Sequence, residues 1–287
     1  MRIAVLGSKK SWYVSDLRRA AADRHTLFQV DYRELHSQVV ADKVTLLADG
    51  EDLSTLDTLL IRTMPPGSLE QVVFRMNALA QLEAAGVRVV NSPRAIEIAV
   101  DKYLATAKLQ QAGLLVPTTI TCQTVEQGME AFHTLNQDVV FKPVFGSEGR
   151  GITRVTDEAI ALRTCKALVQ IGAVLYLQEF IPHEGYDIRL LVIGERVFGM
   201  RRRHPHDWRT NISRGAIAEI LEVTETWKEM ACLAAEAVSS SIAGVDLLPG
   251  QDGKLYTLEV NAVPGWQALA QVTGTDIAAC LLDFLQK

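Results

Sequence analysis

Cysteine is scarce in this chain. The 287 residues hold four, Cys122, Cys165, Cys232 and Cys280, far apart and without a CxxC pair. That spacing gives no support to zinc or thiol-redox motifs and suits a reducing cytoplasm. Long apolar runs are missing too: none reaches the ~18 residues of a spanning helix, so no membrane segment is expected. The opening Met1 to Gly7 lacks the apolar stretch of an export signal. Positive charge is in deficit, with 29 Lys and Arg against 34 Asp and Glu for a net −5. No global basic field therefore recruits nucleic acid or an anionic membrane. Aromatics are only 6%, too few to interleave with the cluster Arg201-Arg202-Arg203-His204 as a base-stacking patch. His204 and His206 flank Pro205 without a third matching ligand and read as polar loop residues. No internal repeat, low-complexity tract or long linker is present. What remains is a globular composition, 48% hydrophobic and 22% charged, long enough for two or three subdomains with real cores.

The first third alternates strand and helix. Ile3 to Leu6 reads as a buried strand, Trp12 to Arg24 as a helix, Thr26 to Val30 and Thr58 to Arg62 as strands. Leu69 to Ala85 is a helix closed by Gly86, and Val87 to Asn91 a strand stopped by Ser92-Pro93. Such alternation predicts a parallel α/β sheet. Gly7-Ser8-Lys9-Lys10 lacks the GxGxxG spacing and reads as a plain strand-to-helix turn. Arg94 to Gly113 is predicted as one helix with a broad apolar face, and Lys102 within it reads as a solvated lysine. A helix follows from Thr124 to Asn136, capped by its threonine.

A strand ending in Phe141-Lys142-Pro143 leads into Gly146-Ser147-Glu148-Gly149-Arg150-Gly151 and then another strand. Glycines let backbone N–H groups approach phosphate oxygens, and a lysine alongside adds positive charge. The order differs from GxxxxGK[ST], because the lysine precedes the loop and a strand follows it. A hairpin turn with an incidental lysine is the plainer reading. Asp157 to Ile171 is a helix, Val174 to Ile181 a strand, and Tyr186 to Met200 a hairpin about Gly194-Glu195. Alternation along Arg201 to Arg203 sends Arg201 and Arg203 to one face and Arg202 to the other. The donor-rich loop Trp208 to Ala216 precedes a helix from Thr226 to Ala243, and Asp276 to Gln286 is a final amphipathic helix.

Near the end, Gly244 to Leu248 and Leu255 to Asn261 flank a Pro/Gly/Asp turn and read as a β-hairpin. Glu259 and Asn261 project from one face, and antiparallel pairing brings Asp246 opposite them. Two carboxylates and an amide oxygen there suit magnesium better than zinc. Ordinary surface carboxylates on a solvated hairpin are the other reading.

Taken together, these elements resemble the ATP-grasp superfamily, and within it the RimK-like carboxylate–amine ligases of the α-L-glutamate ligase type. The resemblance rests on Asp101-Lys102, Phe141-Lys142-Pro143, Gly146 to Gly151, Gln178-Glu179-Phe180-Ile181 and Asp187-Ile188-Arg189. Arg209-Thr210-Asn211, Arg214-Gly215, Val245-Asp246, Glu259-Val260-Asn261 and Pro264-Gly265 continue it in the family's order. It implies an α/β fold with α+β lobes: an N-terminal parallel α/β subdomain at 1–92, a central ATP-binding lobe with a glycine-rich lid at 93–181, and a C-terminal lobe carrying magnesium at 182–287. By the same resemblance Lys102 and Lys142 touch nucleotide phosphates. Gly146, Ser147, Glu148, Gly149 and Gly151 form the lid. Gln178, Glu179, Phe180 and Ile181 read adenine, and Asp187 meets the ribose. Arg209, Thr210 and Asn211 serve the phosphate end. Asp246, Glu259 and Asn261 hold Mg2+, with Mn2+ as an alternative. Arg189 and Arg214, together with Arg201 or Arg203 facing the nucleotide, are expected to hold the transferred phosphoryl group.

The implied partners are a small-molecule amino acid and a carboxylate acceptor, in a cytoplasmic homo-oligomer (dimer or tetramer), with no nucleic acid and no membrane. The N-terminal unit and the turn Val263 to Gln267 are expected to border the acceptor pocket. Trp266 there either stacks on a ring, which would suit a tetrahydromethanopterin-type acceptor, or lies in the core beneath the last helix. Alternatives are a catalytically inactive ATP-binding regulatory protein, a ligase of another amino acid as in lysine biosynthesis or peptide tagging, and nucleic-acid binding through Arg201 to His204.

Overall fold

The structure, a computed structural model, describes residues 1–41, 43–146 and 149–286. The N-terminal unit contains β1 (Arg2–Leu6), α1 (Trp12–Ala21), β2 (Thr26–Val30), β3 (His36–Val40), β4 (Lys43–Ala48), β5 (Glu51–Asp52), β6 (Thr58–Ile61), α2 (Leu69–Ala84) and β7 (Arg88–Val90). β1, β2, β6 and β7 form a parallel sheet in the order β2-β1-β6-β7. β1 is buried on both faces, as its unbroken apolar run requires. A capping box between Ser68 and Gln71 starts α2. β3, β4 and β5 make a small antiparallel sheet in a stretch where the sequence offers no alternation, since every residue of β3 is exposed.

Two helices, α3 (Pro93–Val100) and α4 (Lys102–Gln111), lead into the central unit. The single helix expected over Arg94 to Gly113 is broken at Asp101. That residue has an extended ψ of 102° and its carboxylate accepts from Leu104 N at 3.1 Å, so it caps α4. The central unit comprises β8 (Thr119–Cys122), α5 (Val125–Thr134), β9 (Val139–Lys142), β10 (Thr153–Val155), α6 (Glu158–Gln170) and β11 (Leu175–Glu179). Its sheet is antiparallel, in the order β10-β9-β11-β8. The C-terminal unit follows with β12 (Tyr186–Ile193), β13 (Arg196–Arg203), β14 (Ile217–Ile220), α7 (Glu225–Ala237), β15 (Ile242–Pro249), β16 (Leu255–Asn261), α8 (Gln267–Thr273) and α9 (Ile277–Leu285). Its antiparallel sheet runs β14-β13-β12-β15-β16. α7 stops at Ala237 rather than Ala243 because Ile242 and Ala243 are drawn into β15, buried on both faces.

Packing does not follow chain order. Ile3, Val5 and Leu60 of the N-terminal sheet share one apolar cluster with Leu191, Ile193 and Met200 of the C-terminal sheet and with Leu281 and Leu282 of α9. The other face of the C-terminal sheet packs Leu190, Val245 and Leu247 against Ala231 and Ala234 of α7 and Leu109 of α4. The central unit keeps its own core around Phe132, Phe141, Leu175 and Leu177. No single helix among the described residues is long and apolar enough to cross a membrane. α8 and α9 pass that test only as a pair bent by 115°, and both contribute to the shared cluster.

Candidate active site

The register of the C-terminal sheet gathers its charges. Asp187 lies opposite Arg202, Arg189 opposite Asp246, Asp246 opposite Glu259, and Gly244 opposite Asn261. Residues directly opposed across a ladder share a face, so all seven line one surface. Gly244 is needed for this: a Cβ there would lie 2.3 Å from the Nη2 of Arg189. Arg202 donates to Asp187 through Nε at 2.8 Å and Nη2 at 2.5 Å, and its Nη2 lies 2.9 Å from Asp246 Oδ2. Arg189 reaches Asp246 Oδ1 at 2.6 Å, and the Thr210 hydroxyl donates to Asp187 at 2.6 Å.

Charges this deep persist only when matched. Burial pushes the Asp246 carboxyl up, but Arg189 and Arg202 outweigh it and hold it below its ordinary value. Burial likewise works against Arg202, whose two acid partners raise it far above the usual range.

The opposite wall comes from the central unit. Lys142 ends β9, and its Nζ donates to Gln178 Oε1 at 2.5 Å, while Gln178 Nε2 donates to Thr119 Oγ1 at 2.9 Å. Burial lowers the Lys142 ammonium to about 8, with Glu259 and Asp246 pulling it back up and Lys102 opposing them. Lys102 opens α4, and its Nζ donates to the carbonyl of Gly146 at 2.7 Å. The glycine loop joins β9 to β10. Gly149, at φ +69°, is pressed so closely on the next unit that a Cβ would lie 2.3 Å from Asn211 Oδ1. Gly146 and Gly151 flank it, while Ser147 and Glu148 lie outside the described residues.

Between the walls is a cleft open to solvent, lined by residues of both units. One end is apolar, bordered by Val140, Ile181, Leu248 and Leu258, with Phe180 and Trp208 meeting edge to face at 5.7 Å between ring centroids. Glu179 borders the same end. The other end carries Lys142, Arg202, Asn211, Asp246 and Glu259. Arg209 also lines the cleft, held by Asp207, whose carboxyl that arginine lowers to about 2. An apolar slot leading to clustered cations and acids can take a flat base at one end and phosphates with a cation at the other.

The structure places the other expected residues as follows. Arg201 and Arg203 lie on the opposite face from Asp187 and Asp246, because β13 alternates. They pair with Glu219 and pack over Tyr186, and Arg202 takes the inward position. Asp187 lines the cleft, with its two oxygens engaged by Arg202 and Thr210. Arg189 lies beside the cleft against Asp246, and Arg214 is exposed next to Gly149. Trp266 is only 1% exposed. Its Nε1 donates to Asp16 at 2.9 Å and its ring packs against Tyr13 and Arg62, so it is a core residue and not a stacking platform for a pterin. Arg202 and Trp208 were not among the sequence candidates. The alternation of β13 set against Asp187 on β12 points to the first, and adjacency to Arg209-Thr210-Asn211 points to the second.

The donor set fits magnesium or manganese. Asp246 and Glu259 are neighbours across a ladder, and the Asn261 side chain is fixed by accepting from Val263 N at 2.8 Å. Hard oxygen donors in this number leave positions for waters and phosphate oxygens. No group of three or more His, Cys, Asp and Glu among the described residues is placed to hold a metal.

Residues 1–96 match the RimK PreATP-grasp domain and residues 99–285 the RimK-like ATP-grasp domain. The tetrahydromethanopterin:α-L-glutamate ligase of Methanosarcina acetivorans is 36% identical over 280 residues, covering 87% of this chain and 86% of that protein. A probable α-L-glutamate ligase of Aliivibrio fischeri is 29% identical and covers 100% of this chain and 96% of its own. Among solved structures, the ATP-grasp ligase PsnB complexed with its minimal precursor superposes with a TM-score of 0.78 at 25% identity, covering 99% and 98% of the two chains. With the cleft, the paired acids and the lysine wall in place, these matches across both halves establish that the chain belongs to the RimK-like ATP-grasp ligase family.

Proposed function

We propose that this chain is an ATP-dependent carboxylate–amine ligase that adds L-glutamate to the carboxylate of a small molecule, with a tetrahydromethanopterin-type cofactor as the first acceptor to test. The observation that carries this reading is the cleft in which Lys142 of the central unit faces Asp246 and Glu259 of the C-terminal sheet. The 36% identity to a tetrahydromethanopterin:α-L-glutamate ligase supports the choice of substrates. Likeness to PsnB bound to its precursor keeps a peptide or protein C-terminal carboxylate as a second acceptor class.

In this reading the acceptor carboxylate attacks the γ-phosphorus of ATP and ADP leaves. The amine of glutamate then attacks the acyl carbon, inorganic phosphate leaves, and the amine proton passes to solvent or to the departing phosphate. Phe180, Trp208, Leu248 and Leu258 enclose the base. Lys102 and Lys142 neutralise phosphate oxygens, while Arg202, which lines the cleft, meets the transferred group and Arg189 steadies Asp246 from beside it. Asn211 and Arg209 supply donors where charge builds on the acyl phosphate. Asp246, Glu259 and Asn261 would hold magnesium or manganese, which supplies charge neutralisation and orientation to the phosphates. Gly146, Gly149 and Gly151 let the loop lie close over that end and keep out water, which would hydrolyse an acyl phosphate. A cytoplasmic setting and assembly into a dimer or tetramer belong to the same reading.

The test is amino-acid-dependent ADP release with MgATP, L-glutamate and a panel of acceptors that includes the reduced pterin and a short peptide acid. Glu259→Ala and Asp246→Ala are expected to lower turnover by at least about 100-fold; the melting temperature should stay close to the parent's in Glu259→Ala and fall in Asp246→Ala, which strips Arg189 and Arg202 of a buried partner. Full turnover in either variant would refute the assignment. Nucleotide binding with no ADP release for any acceptor would favour the regulatory alternative.

A further inference from the structure

Two residues of the N-terminal unit grip the turn that follows Asn261. Asn91, just beyond β7, is 3% exposed and uses both ends of its amide. Its Nδ2 donates to the carbonyls of Ile242 at 2.7 Å and Ala262 at 2.6 Å. Its Oδ1 accepts from the backbone N–H groups of Ser241 at 2.8 Å and Ile242 at 3.0 Å. One side chain thus ties the start of β15, the strand bearing Asp246, to the residue directly after Asn261.

Arg62, just beyond β6, donates from Nη2 to the carbonyl of Pro264 at 2.8 Å. Its guanidinium carbon lies 4.7 Å from the ring centroids of both Tyr13 and Trp266. The contacts described for it are a carbonyl and two aromatic rings, not a carboxylate, and its Nε is buried with no partner among the described residues. Burial brings its pKa down to about 10, so the group remains a cation at neutral pH.

A buried arginine without an acid is costly, and the rings offset that cost only in part. The placement makes sense when the bond to Pro264 is seen with its neighbours. Three successive residues are each held: Ala262 by Asn91, Val263 by the side chain of Asn261, and Pro264 by Arg62.

We propose that Arg62 and Asn91 are positioning residues for the Asp246, Glu259 and Asn261 set, so that the N-terminal unit fixes the geometry of a metal site to which it contributes no ligand. This rests on the assignment of those three as metal ligands. Outer residues that orient ligands carry about 10- to 100-fold in metal affinity. A turn free to shift by a fraction of an ångström would misplace the Asn261 oxygen and the end of β16 together.

The experiment is a Mn2+ titration read by electron paramagnetic resonance. It uses the full-length protein with a non-hydrolysable ATP analogue, alongside metal-free nucleotide binding and thermal melting. Arg62→Met is expected to weaken Mn2+ binding by about 10-fold, with metal-free nucleotide binding unchanged, and Arg62→Lys to recover part of the loss. Asn91→Ala is expected to act in the same direction. Should Arg62→Met or Asn91→Ala fail to fold, Arg62→Lys is read in the same titration and is expected to bind Mn2+ more weakly than the parent. Mn2+ affinity within twofold of the parent in the folded variants, with only the melting temperature lowered, would overturn the proposal by leaving a purely structural role. Glu259→Ala is the control. If it binds Mn2+ like the parent, the metal assignment falls and takes this inference with it; if it loses Mn2+ while the Arg62 and Asn91 variants do not, this inference alone fails.

Discussion

Lys142 is where pH reaches the chemistry most directly. Its folded pKa of about 8 lies below the ordinary lysine value because burial disfavours the ammonium. The cation that the proposed function assigns to phosphate binding is therefore lost as pH rises through 8. kcat/KM for ATP, which reports the free enzyme, is expected to fall on an alkaline limb near that value. The limb should move to higher pH in kcat, because bound phosphates favour the charged form. Lys142→Met should remove the limb and lower kcat/KM by at least about 10-fold; a limb that persists in the variant would assign it elsewhere. The stability sign is the reverse of a salt-bridged lysine. Between 8 and the unfolded value of 10.5 the unfolded chain binds more protons, so this group's contribution to stability grows with pH across that window. Lys142 was legible in sequence from the strand, Pro143 and the glycines after it. Arg202 was not: three arginines in a row announce alternation but not which phase faces inward, and only the pairing of β13 with β12 settles that. Trp266 was left between a stacking and a core reading for a related reason, and the core reading holds. A tryptophan after Pro-Gly marks a turn, yet its burial depends on α1 and α9, far away in the chain.

Among the elements, the break between α3 and α4 has the clearest consequence. A continuous helix would leave Lys102 in mid-helix, whereas the break puts it in the first turn, with Asp101 as the cap. From there its backbone N–H meets the carbonyl of Val144 at 3.2 Å and its side chain meets Gly146. Removing the cap by Asp101→Ala should cost about 1 kcal/mol. It should also raise KM for ATP more than it lowers kcat, as measured by denaturant melts and steady-state kinetics together. An unchanged KM would mean the cap serves stability alone. Apolar spacing runs through Asp101 without interruption, which is why periodicity alone predicts one helix. The hairpin of β15 and β16 was readable because two apolar runs flank an unmistakable turn. β3 was hidden because a strand exposed at every position carries no pattern.

At the scale of the whole molecule, the N-terminal and C-terminal sheets are two layers about one apolar cluster, and the central unit stands on a core of its own. A chain beginning at residue 93 would expose Leu191, Ile193, Met200 and Trp266, all buried in the intact protein. Such a fragment is expected to aggregate or to lose its fixed tertiary packing, as judged by near-ultraviolet circular dichroism and proteolysis. A soluble fragment that binds nucleotide would show the shared layer to be dispensable. The order of motifs along the chain made the architecture legible, but sequence segments do not reveal which cores merge, since merging depends on distant faces meeting. Gly149 carries a last consequence. Where the loop of the central unit meets Asn211, the two bodies are separated by no more than the hydrogen that stands in place of a methyl group. That seam has little thickness to spare: an alanine would have to push the Asn211 amide aside and, in the ligase proposed above, would act as a shim that admits water to the activated acid.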